Sequence, residues 1–223
     1  MNLLQEAIAW LMNPANWSGA GGVLERILQH LLITAASVAL ASAVALPVGI
    51  IIGHTKKAAG FVPAVTGAMR AVPTLGMLTV FALMLGIGFQ APLLALTVLA
   101  MPSVLAGVYS GVNAVDHTVT DAAKAIGMQP AQIVFKVELP LALPLIIGGV
   151  RAATLQVVAT ATLAAYTADI GLGRYLFAGL KSRDYTEMLA AALLVTALSL
   201  IIEIPFGVCE RFAKKLSRNT SNG

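Results

Sequence analysis

The chain has 223 residues, 58% of them hydrophobic and only 11% charged, with a net charge of +4. A soluble domain carries about a quarter charged residues, so a chain this apolar cannot cover itself with polar surface, and a bilayer is its expected solvent. The basic excess reads as loop lysine and arginine, not as a nucleic-acid footprint.

The single Cys209 excludes an intrachain disulfide, and His30, His54 and His117 lack metal-ligand spacing. No G-x-S-x-G, H-E-x-x-H or P-loop string occurs, so the expectation is no enzyme, no catalytic residue, no metal and no cofactor.

In chain order, Met1–Met12 is apolar but short, contains Gln5 and Glu6, and is followed by Asn13-Pro14 and the glycines of 19–22. It lacks a basic leader and reads as an amphipathic helix on the membrane surface, with Trp10 and Trp17 at the interface. Residues 1–23 are therefore expected to form an extracytoplasmic or interfacial segment. A crossing helix needs about 20 apolar residues. Five runs qualify: about 31–53, 61–88, 91–115, 139–168 and 188–209. Only Arg70, Arg151 and Glu203 interrupt them. Lipid cannot satisfy open backbone groups, so all five are expected as helices, and the fold class as an all-α membrane protein.

Charges inside spans seek a partner or a cavity. Counting 1.5 Å per residue, Arg70 and Glu203 fall at similar depth, and an ion pair between them is expected, with Arg151 as a competitor. On the fourth span, Gly149, Ala153, Gln156 and Thr160 share a face. They read either as close packing through small residues or as the wall of a water-filled path.

Five spans put the termini on opposite sides. One side receives Lys56, Lys57, Lys124, Lys136, Arg211, Lys214, Lys215 and Arg218; the other receives Arg26, Arg174, Lys181 and Arg183. The positive-inside rule places the first group in the cytoplasm, together with the C-terminus and the basic tail 213–223, and the N-terminus outside.

Between the third and fourth spans lies a polar island, Asp121 to Pro140, DAAKAIGMQPAQIVFKVELP. Thr118-x-x-Asp121 reads as a capping-box start. Val115, Val119, Ala122 and Ile126 recur at helical spacing and form one apolar face. Gly127 suits a helix end, and Pro130 the first turn of the next helix. The pattern predicts a helix over about 116–128, a tight turn and a second short helix. Ala122, Ala123 and Gly127 are small enough to let another surface approach.

Asp121-Ala122-Ala123, then Gly127, then Leu139-Pro140 resembles the EAA signature of ABC importer permeases. Asp121 stands where that family usually has Glu, which keeps the charge. Arg70-Ala71-Val72-Pro73-Thr74, Val137 to Pro144, Gly149 to Thr154, Thr160 to Ala165 and Asp169 to Gly173 resemble the osmoprotectant subfamily, whose substrates are glycine betaine, choline, carnitine and proline betaine. The resemblance runs from Leu24 to Phe212. It implies a type I ABC importer permease architecture over 24–212, with the island as the coupling helix through Asp121, Ala122, Ala123, Gly127, Leu139 and Pro140.

It further implies a multi-pass protein of the bacterial inner membrane. The implied partners are a cytoplasmic ATP-binding subunit dimer, which holds the ATP-Mg, a second permease subunit and an extracytoplasmic substrate-binding protein. Only 6% of the chain is aromatic and no aromatic cluster lies inside a span, so no tight quaternary-ammonium cage is expected within it. The alternatives are an amino-acid importer of the same architecture, such as a methionine permease, or a membrane scaffold that recruits a soluble protein.

Overall fold

The computed structural model describes residues 2–56 and 60–221, with the backbone alone for Leu216 and residues 218–221. Lys57, used above for orientation, lies outside the described residues. Every regular element among the described residues is helical. The helices are α1 (Leu3–Met12), α2 (Val23–Thr55), α3 (Phe61–Ala71), α4 (Thr74–Leu85), α5 (Gln90–Asn113), α6 (His117–Ala125), α7 (Pro130–Ile133), α8 (Leu139–Thr160), α9 (Gly173–Ser182) and α10 (Tyr185–Ser221). A π-helical turn, Val134–Glu138, joins α7 to α8, and a 3₁₀ segment, Ala161–Tyr166, follows α8.

Four helical stretches are long and apolar enough to cross a bilayer: Val23–Thr55, Gln90–Asn113, Pro130–Tyr166 and Tyr185–Lys215. A fifth crossing requires α3 and α4 together. The second expected span is therefore not one continuous helix. Pro73 lacks an N–H and disfavours helical backbone at Val72, and it sits extended (φ −69°, ψ 119°) before α4 begins. α3 and α4 have 11 and 12 residues; at 1.5 Å each, either is well short of the roughly 30 Å of hydrocarbon.

By its internal contacts the chain divides into two compact units. The first comprises Met1–Val38, Val72–Leu99 and Thr154–Ile202. Its larger apolar cluster is Val158, Leu172, Val195 and Leu198, with Ile27, Leu31, Tyr175, Leu194 and Ile202 against it. Polar contacts tie its segments together. The fully buried His30 places Nε2 2.8 Å from the Val158 carbonyl oxygen and Nδ1 3.4 Å from the Leu172 N–H nitrogen. Two donors cannot face each other, so Nδ1 accepts from Leu172 and Nε2–H donates to Val158. Arg26 donates to the Asp169 carbonyl oxygen and forms an ion pair with its carboxylate at 3.4 Å.

The N-terminal segment is not merely laid on a surface. Asn2 and Gln5 close a capping box that starts α1. Thr186 donates to the Glu6 carboxylate at 3.2 Å, and the Trp10 ring meets Tyr175 edge-on, with centroids 5.4 Å apart. Thus α1 is docked on residues of α9 and α10.

The second unit comprises Ala39–Ala71, Ala100–Ala153 and Glu203–Gly223. In it α5 and α8 meet through glycine. A Cβ built on Gly107 would stand 2.6 Å from the Gly149 Cα, and one on Gly149 would stand 2.8 Å from the Gly107 Cα. Backbones approach this closely only where side chains are missing, which is the packing mode lipid favours.

The expected Arg70–Glu203 pair is not formed. Glu203 is held by Arg151, whose Nε donates to it at 2.9 Å and whose Nη2 also contacts it. Arg151 Nη1 reaches Glu210 at 2.6 Å, and Lys214 closes on Glu210 at 2.7 Å. Arg70 is exposed on α3 and has no ion pair among the described residues. A depth count ranks residues along one axis only. It carries no information on which helix is the neighbour, and α8, not α3, supplies the guanidinium. Glu203 and Glu210 lie two turns apart on one face of α10, so a forked guanidinium between them satisfies both.

Two outcomes follow. Gly149→Leu forces the α5–α8 contact open, a strain of about 1–3 kcal/mol, and should lower the melting temperature of the detergent-purified chain. The adjacent Gly148, whose added Cβ would meet nothing within 4 Å, should accept Ala without loss. Arg151→Leu takes the guanidinium from Glu203 and leaves Glu210 with Lys214, and should lower the melting temperature more than Arg70→Leu does.

Candidate functional site

The polar island folds as a helical hairpin whose ends are fixed by its own side chains. Asp116, not Thr118, caps α6; its carboxylate accepts the Thr118 N–H at 2.8 Å, two residues before the expected start. That hydrogen bond holds the Asp116 carboxyl below its ordinary range, with the His117 and Lys56 charges as smaller causes. A carboxylate at this end also suits the helix dipole. Asp121 lies mid-helix. Its carboxylate accepts from Lys124 at 2.9 Å, which lowers its pKa in turn.

α6 ends at Ile126, and Gly127 turns the chain with φ +85°. In this left-handed conformation an L side chain is disfavoured by about 1–2 kcal/mol per residue. Pro130 then opens α7 at its first position, as its fixed φ and missing N–H allow.

The face of α6 is more telling than its ends. Thr120 and Ala123 are buried at 8% and 6%, so Ala123 faces inward. Val119, Ala122 and Ile126 face out; Ile126 is 80% exposed. Val115, the fourth member of the expected apolar face, is buried. The helix therefore packs on α7 and the π turn through small and hydroxylated residues and leaves an apolar row uncovered. Ala122, Gly127, Asp121 and Lys124 border that row, all exposed. Gly127 has nothing within 4 Å of where its Cβ would be. Such a row on a charged hairpin is suited to docking a protein surface.

Leu139-Pro140 has a structural part to play. Pro140 lacks the N–H that would bond four residues back, and its ring crowds the carbonyl there. The chain widens into the π turn just before it, where the Leu139 N–H reaches back to the Val134 oxygen. The wide turn directs Glu138 inward, 4% exposed, where its carboxylate lies 2.8 Å from His54 Nδ1 at the end of α2. Lys56 Nζ donates to His117 Nε2 at 2.9 Å. Two side-chain contacts thus fasten the hairpin to the end of α2. Neither was anticipated from sequence, although an acidic residue between apolar stretches, as Glu138 is, calls for a partner.

Of the residues considered for a path wall, Gly149 and Ala153 are buried, and Gly149 is consumed by the α5 contact. For Gly149 this is the packing alternative. Gln156 and Thr160 are half-buried. Among the described residues no group of three or more His, Cys, Asp or Glu side chains is placed to hold a metal.

Comparison with known proteins gives this arrangement a family. Residues 45–215 match the family described as binding-protein-dependent transport system inner membrane component. The choline transport system permease protein OpuBB of Bacillus subtilis is 33% identical over 87% of this chain and 89% of its own. The carnitine transport permease protein OpuCB of Listeria monocytogenes is 34% identical over 87% and 90%. The glycine betaine/carnitine/choline transport system permease protein OpuCB of B. subtilis is 32% identical over 87% and 89%. In fold, the chain resembles a solved inward-facing MetNI methionine ABC transporter chain, with TM-score 0.74 over 86% of this chain and 95% of that one, at 24% identity. The fold is that of type I ABC importer permeases, and the chain belongs to the inner-membrane permease family of binding-protein-dependent transport systems.

Proposed function

We propose that this permease forms the pathway of an importer for osmoprotectants of the quaternary ammonium class: glycine betaine, choline, carnitine and proline betaine. The relatives named for those compounds, similar along most of the chain, support the substrate class. The observation that carries the mechanism is the uncovered row Val119, Ala122 and Ile126 on a hairpin fastened to the end of α2 through His54–Glu138. The row is the surface for a cytoplasmic ATP-binding subunit, and the fastening lets force on α6 reach a membrane helix. Asp121, Ala122, Ala123, Gly127, Leu139 and Pro140 serve this coupling. Asp121, Ala122 and Gly127 do so at the surface; Ala123, Leu139 and Pro140 act by shaping the hairpin.

The chain itself does no chemistry in this scheme. ATP-Mg is held and hydrolysed by a dimer of the ATP-binding subunit, and an extracytoplasmic binding protein supplies the tight substrate site. A second permease, identical or similar, completes the pathway over residues 24–212, with Gln156 and Thr160 as the wall. Closure of the ATP-binding subunits moves the coupling helices and shifts the permease between inward- and outward-facing states. Residues 1–23 lie outside, and the tail 213–223 lies in the cytoplasm. The fold resemblance to the methionine transporter concerns architecture and carries no preference for amino acids.

Substrate class is tested by uptake with the complete transporter in proteoliposomes: quaternary ammonium compounds should compete with labelled glycine betaine, and methionine should not. Orientation is tested in a Cys209-free background. Cysteines at Lys124 and Lys215 should resist a membrane-impermeant thiol reagent in intact cells, and one at Lys181 should react; the reverse pattern overturns the orientation. Coupling is tested at Gly127. Asp and Asn tolerate the left-handed conformation and meet no neighbour within 4 Å there. Gly127→Asp should therefore insert normally yet lose about tenfold or more of uptake and of transport-coupled ATPase activity, since a docked subunit displaced by about 1.4 kcal/mol binds tenfold less. Wild-type uptake by the inserted variant would exclude this turn from coupling.

A further inference from the structure

Near the end of its apolar stretch, α10 carries a notch. Gly207 lies between Glu203 and Glu210, the two carboxylates that Arg151 of α8 bridges, and a Cβ built on it would meet nothing within 4 Å. The missing side chain leaves room for an open cavity of about 440 Å³. Arg151, Arg211 and Lys214 line it with the two carboxylates, and Ile204 and Val208 form its apolar part. All of these residues belong to the second compact unit.

The charges in the notch do not balance. Both carboxylates are taken: Arg151 reaches each of them, and Lys214 closes on Glu210 at 2.7 Å. The Arg211 side chain lines the same cavity and has no hydrogen bond or ion pair among the described residues. Three basic groups thus stand against two carboxylates, a formal excess of one positive charge. Donors are also in surplus. Arg151 spends three of its five N–H groups on the carboxylates, Lys214 one of its three, and Arg211 none. Ile204 and Val208 are 66% and 59% exposed within the apolar helix Tyr185–Lys215. Arg211 stands about 10 Å further along the helix than Ile204, at 1.5 Å per residue. The cavity therefore offers open donors toward the tail and apolar side chains toward the span.

We infer that this notch seats the phosphodiester of an anionic phospholipid of the phosphatidylglycerol type, with an acyl chain over Ile204 and Val208. A free guanidinium fork matches phosphate oxygens in geometry and charge, and a lysine adds a point charge beside it. Basic pockets at the ends of membrane helices recognise anionic headgroups on this basis. One excess positive charge calls for a headgroup of net charge −1. A zwitterionic lipid would bring its own ammonium to a place already rich in cations. Glu203 and Glu210 do not bar the phosphate, because Arg151 and Lys214 hold them. A free phosphate ion would use the donors but gain nothing from Ile204 and Val208, whereas a lipid satisfies both parts of the cavity. The site does not depend on which compound is transported.

The experiment uses the full chain purified in an uncharged detergent, with bound lipid counted by native mass spectrometry. Phosphatidylglycerol and phosphatidylcholine of equal chain length are titrated in competition, and the parent should retain phosphatidylglycerol in preference. Arg211→Gln and Lys214→Gln should each weaken that binding by about threefold or more. Lys215→Gln removes an equal charge from the same helix, outside the notch, and should bind like the parent. Gly207→Leu keeps every charge and fills the notch. Its position is open and leucine favours a helix, so it should keep its helix content by circular dichroism and lose the preference. Equal losses in Lys214→Gln and Lys215→Gln would reveal diffuse attraction to a basic tail and overturn the site. No preference in the parent, or an undiminished one in Gly207→Leu, would overturn it as well. Sodium phosphate, compared with sodium chloride at equal ionic strength, should leave the lipid bound; displacement by phosphate would give the donors to the free ion and overturn the lipid assignment.

Discussion

Hydrocarbon offers no hydrogen bonds, and the polar groups within these helices are arranged around that constraint. Hydroxyls on the long helices turn back on their own backbone: Thr34 to the His30 oxygen, Thr97 to Leu93, Thr196 to Ala192 and Ser199 to Val195. Several charged and ionisable groups reach another segment instead. Arg151 takes two carboxylates of α10, Glu138 takes His54, and His30 takes backbone on both sides of its ring. Each therefore fixes a helix neighbour as well as satisfying a charge. Satisfied polar groups of this kind are costly to break even where they add little net stability.

The same constraint shows why the α6 row stands out. Exposed apolar side chains on the long helices, such as Leu32, Val44 and Ile201, suit contact with lipid. Ile126 sits beside Asp121 and Lys124 on a nine-residue helix too short to cross a bilayer. Water is a poor solvent for it, and the charges beside it separate this row from the lipid-facing stripes of the long helices. Its fastening also separates two kinds of residue in the signature string. Asp121, Ala122 and Gly127 present themselves outward. Ala123 fills the contact with α7 and the π turn, and Pro140 enforces the wide turn that directs Glu138 to His54. Ala122 and Ala123 are thus adjacent small residues on opposite sides of the helix, one exposed and one buried.

Much of this was legible in the sequence because it is local. Apolar runs set the long helices, Gly127 and Pro130 set the turn, and the periodicity of Val119, Ala122 and Ile126 found a genuine face. What was not legible is pairing across the chain. The second run looked continuous because Pro73 is apolar by composition and acts only through its missing N–H. Glu203 was given the wrong arginine because depth along an axis does not identify a neighbour. The capping-box pattern pointed to Thr118, whereas the side chain that accepts the Thr118 N–H is that of Asp116, two residues earlier. Gly149 and Ala153 matched two functions at one spacing, and only the position of Gly107 decides that Gly149 serves packing.

The N-terminal segment shows the same limit from another side. Trp10 and Tyr175 are 165 positions apart, and both lie outside the expected spans. What joins them is a set of ordinary contacts: the α1 capping box, the Thr186–Glu6 hydrogen bond and the Tyr175 hydroxyl on Gly21. Those contacts tie α1 to α9 and α10. Glu187 lies in the first turn of α10, where a carboxylate suits the helix dipole. Arg174 and Arg26 are both drawn to Asp169, at 3.1 and 3.4 Å. Sequence separation hides such a contact, because nothing local to Trp10 or to Tyr175 names the other.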